Sequence, residues 1–404
     1  MNNELAQRIR KAAEARRDYM VAIRRDIHAH PELSFQERRT GALLAAEARR
    51  LGLPTRAGIA ETGVVALLRG ERPGRTIALR ADIDALPLAQ ESDAPYASRT
   101  PGVAHLCGHD AHAAMLLGAA GILADLRGEL AGNVKFLFEP AEEQRDACGR
   151  SGADRMVEEG ALAEPAVAAV FAAHVFPEWP TGTVAVRPGS IMAGHGQFTL
   201  AIVGAETHGA TPHLGVDAML VAAQIITALH ALAGHLPAPG DAFALNVGLI
   251  EGGRAYNLIP GRVEMVGSVR TANEELRARL GTEIEKVVRG IAEATGATYE
   301  LQFDPYTFPA TVNDPQLAGV VCRATASLYG EDAVAWLDRP RLAGETFYAY
   351  LDHVPGAYFF LGTGNAAKGT AYPSHHPRFA IDEDALPVGA AVLAACALAF
   401  LAGE

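Results

Sequence analysis

Residues 134–143 read Val-Lys-Phe-Leu-Phe-Glu-Pro-Ala-Glu-Glu. A largely apolar, β-prone run meets an acidic turn, and Pro140 ends the strand because it has no N–H to give to a ladder. The same grammar recurs at 64–68, 75–80, 167–172 and 357–361, where strand-like runs each lead into a polar turn. Runs with helical spacing alternate with them at 6–25, 36–51 and 111–126. Alternation of this kind predicts an α/β fold with a mainly parallel sheet. Such sheets receive ligands outside the carboxyl ends of their strands, and those ends carry Asp82 and Asp84, Glu142 and Glu143, and His174. The loop behind 357–361 adds His375 and His376.

From about 193 the pattern changes. Strand, helix, strand, strand, helix and strand follow at 197–204, 216–233, 242–250, 262–270, 274–294 and 297–303. The order βαββαβ predicts a ferredoxin-like module inserted at 193–307 into a discontinuous first domain of residues 1–192 and 308–404.

The densest chemistry lies at 105–112, His-Leu-Cys-Gly-His-Asp-Ala-His. A thiolate at Cys107 and an imidazole at His109, with Gly108 allowing a tight fold between them, can share one borderline-soft divalent cation. The competing reading is a buried Cys beside Asp110 acting as the cap of the following helix. Glu142 and Glu143 adjoin in an irregular turn, so one can bind a metal while the other faces substrate as a general base. An acidic first helical turn would look the same. His174 alone is equally a satisfied structural histidine, and His375 alone an ordinary loop residue. Convergence at one sheet edge favours the chemical reading, since a Cys, three His and a Glu suffice for two ions with shared ligands.

The 404-residue chain carries a net charge of -12, which argues against nucleic acid and anionic membrane as partners. Four cysteines, at 107, 148, 322 and 396, include no CxxC pair, so no disulfide scaffold is expected. The N-terminal thirty residues are charged and without a continuous apolar run, and the chain is read as lacking about 18 uncharged apolar residues in succession. A cytoplasmic enzyme is therefore expected.

In sum these motifs resemble the aminoacylase, hippurate-hydrolase and auxin-conjugate amidohydrolase branch of the di-metal carboxypeptidase family. The resemblance runs through 28–35, 80–87, 105–112, 139–143, His174-Val175, 252–260 and 375–386, in order along nearly the whole chain. It implies two divalent ions per subunit (Zn²⁺ or Mn²⁺, with Co²⁺ or Ni²⁺ as alternatives) held by Cys107, His109, Glu143, His174 and His375. His375 is preferred to His376 by the family's His-any-Pro-any-aromatic pattern. Glu142 would be the general base, with Asp110 supporting the ligands or capping the helix, while Asp82 and Asp84 would order the loop beneath. The inserted module would be a lid through which the chain forms a homodimer. Its His208, with His213 as the neighbouring candidate, would stabilise the tetrahedral intermediate in the partner's site, and Asn257 and Arg270 would receive the substrate's carboxylate. The activity implied is hydrolysis of N-acyl amino acids or related amide conjugates. The alternatives are a dipeptidase or carboxypeptidase on the same site, and a non-catalytic binding relative. A dinucleotide oxidoreductase is disfavoured because Gly362-Thr363-Gly364 lacks the third glycine, and no Gly-x-Ser-x-Gly supports serine chemistry.

Two positions depart from the family pattern. Glu139 stands where Gln is usual and is expected to raise the pKa of Glu142 by like charge. Thr346 stands where Asp is usual, beside the site.

Overall fold

The computed structural model describes residues 1–304 and 308–403, so the expected module end at 307 lies outside the described residues. The chain divides into two compact units. One comprises Met1–Gly189, Val312–Asp338 and Thr346–Glu404, and the other Ser190–Thr311 with Arg339–Glu345. The segment Arg339–Glu345, assigned from sequence to the first domain, instead groups with the second unit.

The first unit is built on an eight-stranded sheet. Its strands lie in the order Thr55–Ile59, Gly63–Arg69, Ala131–Glu139, Arg72–Asp82, Val167–Pro180, Gly356–Gly364, Val184–Val186 and Val334–Trp336. The four central strands, from Ala131–Glu139 to Gly356–Gly364, run parallel, while both outer pairs on the Gly63–Arg69 side are antiparallel. The central strands are apolar at successive positions because both faces are covered, and Ile77 through Asp82 are all buried. In the ladder Asp82 stands opposite Glu139 and Arg80 opposite Leu137 and Ala172, which brings two chemically loaded strand ends level with the His174 region of Val167–Pro180, a strand that runs on past His174 instead of ending before it.

The helices His109–Asp125 and Ala385–Ala402 pack against each other and against this sheet. They are apolar on every side, as buried helices are. The second one corrects the sequence reading, because Ala385–Ala402 is itself an uncharged apolar run long enough to span a membrane. It is a core helix here, with 89% of its residues buried. The single helix expected over 6–25 is two, Asn3–Glu14 and Arg17–Ala29. Arg16 leaves helical geometry between them and sends its guanidinium to the carbonyl oxygens of Ala12 and Gly121 and to the Asp125 carboxylate, 2.7 Å away.

The second unit has the expected βαββαβ order. Strands Phe243–Gly252, Arg262–Thr271, Gly194–Val203 and Thr298–Phe303 lie side by side, every pair antiparallel. Helices Ala218–His235 and Glu274–Thr295 bury Val221, Ile225, Leu229, Leu280, Ile284 and Val288 in its own core.

Candidate active site

Cys107 and His109 are separated by Gly108, which has φ 99° and is the N-cap of the His109–Asp125 helix. A Cβ at Gly108 would lie 2.3 Å from Val175 Cγ2, so only glycine fits both the left-handed backbone and the space. The turn after Ala131–Glu139 is equally unusual. Ala141 has φ 50°, and its N–H donates to the buried Glu37 carboxylate at 2.8 Å. That reversal presents Glu142 and Glu143. His375 also has positive φ, 67°, and is pinned by its N–H to the Leu106 carbonyl at 2.7 Å. A non-glycine residue in that region costs roughly 1–3 kcal/mol, a strain typical of functional sites.

All five predicted ligands converge. Donor atoms of Cys107, His109 and His174, of Cys107, Glu143 and His375, and of His109, Glu142 and Glu143 each lie within 4.8 Å of one another. Cys107 Sγ is 3.3 Å from His174 Nε2, and Glu143 Oε1 is 3.8 Å from His109 Nε2 and 3.4 Å from His375 Nε2. Two ligands of one tetrahedral ion, at about 2.0–2.3 Å each, stand roughly 3.3–3.8 Å apart. His109 Nε2 and Glu143 Oε1 are buried without a hydrogen bond. Leaving such an atom unsatisfied costs about 1–3 kcal/mol, and a cation among these donors removes that cost. Thiol, imidazole and carboxylate together suit a borderline divalent ion, so the residues fit a two-ion site.

Hydrogen bonds fix which nitrogen faces inward. His174 Nδ1 donates to the Val175 carbonyl at 2.8 Å, leaving the Nε2 lone pair toward Cys107. His109 Nδ1 is held by Asp84 Oδ1 at 3.0 Å, leaving Nε2 free for an ion, the usual arrangement of a ligating imidazole. Asp84 also accepts the Ser34 hydroxyl at 2.6 Å and the Glu143 N–H at 3.0 Å. It therefore orients His109 and Glu143 directly, a role larger than the loop-ordering expected of it. Burial would raise the Asp84 carboxyl, but His109 and these hydrogen bonds outweigh it and hold it down. Burial and His112 hold the His174 imidazole well below its ordinary value, hence neutral. Burial and the Glu143 carboxylate push the Cys107 thiol up in the absence of an ion, and a bound cation reverses that preference.

Other residues of the octet settle elsewhere. The helix cap is Gly108, not Asp110, because the Asp110 carboxylate is turned to Arg24 at 2.7 Å and His28 at 2.8 Å. His112 lies between Asp82 Oδ1 and the Val175 N–H, which its Nε2 accepts at 2.9 Å. With Asp82 and His109 it forms a further group of potential metal ligands, although both its nitrogens already have these partners. Burial pushes His105 down to about 3. His376 stacks on Tyr372 and accepts the Arg378 N–H at 3.0 Å, whereas His375 faces Glu143.

The Glu139 carboxylate, expected to act on Glu142 by like charge, faces Arg80. The Glu139 carboxylate is buried against the Arg80 guanidinium at 2.6 Å and accepts the Thr346 hydroxyl at 2.6 Å. It is paired there with a guanidinium that Asp82 shares at 2.7 Å, and the two departures from the family pattern touch one another. The Thr346 N–H in turn donates to Glu142 Oε1 at 3.2 Å.

In the second unit, His208 pairs with Leu258, and Asn257 is next to it, its carbonyl accepting the Gly209 N–H at 2.7 Å. Both are exposed, as is His213. The Ala210 N–H donates to His208 Nδ1 at 3.0 Å, which leaves the ring proton on Nε2. Arg270 is at the other end of the Arg262–Thr271 strand, about 27 Å from Arg262 at strand rise, where its Nη1 donates to the Leu342 carbonyl at 3.0 Å.

A mainly parallel α/β sheet along whose edge a helix N-terminus, a strand and two turns gather a thiol, three imidazoles and two carboxylates defines a metal-dependent hydrolase. Residues 78–399 match Peptidase family M20/M25/M40, and the chain belongs to that family. It is 36% identical to thermostable carboxypeptidase 2 of Saccharolobus solfataricus, over 98% of this chain and 99% of that one. It is 38% identical to the N-acyl-L-amino acid amidohydrolase of Geobacillus stearothermophilus, over 79% of this chain and 85% of that one. A dinuclear metal binding peptidase of the M20 family from Bacillus subtilis superposes with a TM-score of 0.83 at 32% identity, covering 97% of this chain and all of the other.

Proposed function

We propose that the protein hydrolyses the amide bond of N-acyl amino acids or related conjugates, releasing a carboxylic acid and an amino acid. The observation that carries this is the gathering of Cys107, His109, Glu143, His174 and His375 around two unsatisfied buried atoms, with Glu142 alongside. The name of the Geobacillus relative supports the acyl amino acid as substrate, and that of the Saccharolobus relative keeps a carboxypeptidase as the second reading.

Those five residues would hold two divalent ions, zinc favoured by the thiolate and manganese tolerated by the remaining donors, which lower the pKa of a water and polarise the amide carbonyl. Glu142 takes the water's proton as its oxygen attacks the carbonyl carbon, then returns a proton to the departing nitrogen as the C–N bond breaks. His208, with its proton on Nε2, donates to the developing oxyanion. Asn257 and Arg270 receive the substrate's carboxylate, for which a guanidinium is well shaped.

His208 and Asn257 sit together while Arg270 is a strand length away, so one small substrate meets all three only if two subunits contribute. A homodimer through the second unit is supported by its surface. Helix Ala218–His235 is apolar with under a third of its residues buried, Leu214, Leu220, Leu249 and Ile250 are exposed, and Phe243–Gly252 is an open sheet edge. Cys148, Cys322 and Cys396 are unpaired, like Cys107, which supports a cytoplasmic setting; the net charge of -12 supports a small-molecule partner rather than nucleic acid or membrane. Metal-stripped and reconstituted enzyme should be assayed on N-acetyl, N-benzoyl and indole-acyl amino acids beside dipeptides. Metal-dependent turnover of acyl amino acids in preference to dipeptides is expected; preference for dipeptides would establish the second reading.

A further inference from the structure

Arg80 is buried completely in the middle of the sheet, a position a guanidinium occupies only when its charge and its donors are matched. Its Nε donates to Glu139 at 2.6 Å, Nη1 to Asp82 at 2.7 Å and Nη2 to the Thr346 hydroxyl at 3.1 Å. Strand geometry makes this fork possible. Arg80 and Asp82 are two residues apart and share a face, and Glu139 is directly opposite Asp82.

Two tracks leave this guanidinium. Through Asp82 it reaches His112, whose Nε2 accepts the N–H of Val175, the residue after His174. Through Thr346 it reaches Glu142. The Thr346 hydroxyl accepts from Arg80 and donates to Glu139, so its orientation is fixed from both sides, and the main-chain N–H of the same residue is then aimed at Glu142 Oε1. Glu142 sits only three residues beyond Glu139, in the turn that Ala141 reverses.

We propose that Thr346 is a positioning residue for Glu142, held in place by the Arg80–Glu139 ion pair, and that Glu139 and Thr346 act as one unit on the side of Arg80 that Asp82 does not hold. This rests on the reading of Glu142 as the general base. The brace sets the direction of the base carboxylate without touching substrate. It also makes the residues at 139 and 346 interdependent, because the Thr346 hydroxyl lies 3.1 Å from Arg80 and 2.6 Å from Glu139, so removing a carboxylate at 139 while adding one at 346 leaves the number facing Arg80, Asp82 included, unchanged.

The test uses the metal-loaded enzyme with Thr346→Val, Thr346→Ser, Glu139→Gln, Thr346→Asp and the double variant Glu139→Gln/Thr346→Asp, with Glu142→Gln beside them. Thr346→Val keeps the shape and the main-chain N–H but frees the residue from Arg80 and Glu139. It should lower kcat ten- to a hundredfold, the scale of a small misplacement, with KM changed less than about threefold, while Thr346→Ser restores most of the loss. Metal content by mass spectrometry should stay at the wild-type value. Glu139→Gln and Thr346→Asp should each lower both kcat and the melting temperature of the metal-free protein, and the double variant should recover both, as interacting residues do. Wild-type kcat in Thr346→Val, equal losses in the Val and Ser variants, or a double variant no better than the poorer single one would overturn the proposal. If Glu142→Gln is itself active, it is the base assignment that fails. If Glu142→Gln is inactive and Thr346→Val is unaffected, the positioning role alone fails.

Discussion

At the scale of single residues, the site depends on backbone positions as much as on donor atoms. Gly108→Ala should lower stability by about 2 kcal/mol or more, from positive φ and a contact with Val175 that core packing cannot absorb, and should reduce metal per chain. Urea unfolding and metal analysis check this, and an alanine variant with wild-type values in both would show that the turn is not constrained. Glu37 offers a second check, on pH. Burial, with Asp84 adding to it, raises its carboxyl to about 7, above the unfolded value of about 4.3. The folded state thus binds the proton more tightly, so the stabilisation is present below about pH 4 and is lost as pH rises through about 7, on the order of 1–3 kcal/mol. Unfolding of metal-free protein at about pH 5 and pH 8 should show that slope, and Glu37→Gln should flatten it. Cys107, His109, Glu142 and Glu143 stood out in the sequence by type and spacing, whereas His174 and His375 stood out only by convergence at one sheet edge and the division of roles came from the family resemblance; the structure brings all six side chains together. Asp84, Glu37 and Thr346 were not read in their observed roles, because each acts through partners 25 to more than 200 positions away.

Among elements, the runs that carry the site were readable and the edges were not. The strand ending in Glu139 and the helix starting at His109 are mostly apolar, because nearly all of their residues are buried. Thr55–Ile59, Val184–Val186 and Val334–Trp336 are three to five residues long and lie toward the sheet's margins, where little periodicity accumulates. The break at Arg16 depends on Gly121 and Asp125 in another helix, and local propensity does not see that. Helix Ala218–His235 carries a prediction of its own. Leu220 is 57% exposed on it, so if the protein is the homodimer proposed through this unit, Leu220→Arg should leave the unit folded, by circular dichroism, while shifting that dimer to monomer in light scattering and lowering activity. A variant that remains dimeric would place the interface elsewhere.

For the whole molecule, the division into an α/β unit and an inserted βαββαβ unit followed from the change in element order near residue 193. The return of the chain was harder to place, because Arg339–Glu345 joins the second unit through contacts such as Arg270 to Leu342 that no local signal announces. If the second unit serves the partner's site, mixing inactive His208→Ala with inactive Glu142→Gln subunits should regain part of the activity, since one of the two hybrid sites is intact. No recovery after subunit exchange, verified by light scattering, would assign His208 to its own subunit.

The most direct measurement is made on Glu142→Gln. The carboxamide keeps the size and the acceptor oxygen of Glu142 but cannot take a proton. The variant is predicted to retain two divalent ions per chain and the wild-type melting temperature while its turnover of N-acyl amino acids falls on the order of 10²- to 10⁴-fold. Near-normal turnover with the ions in place would contradict the account.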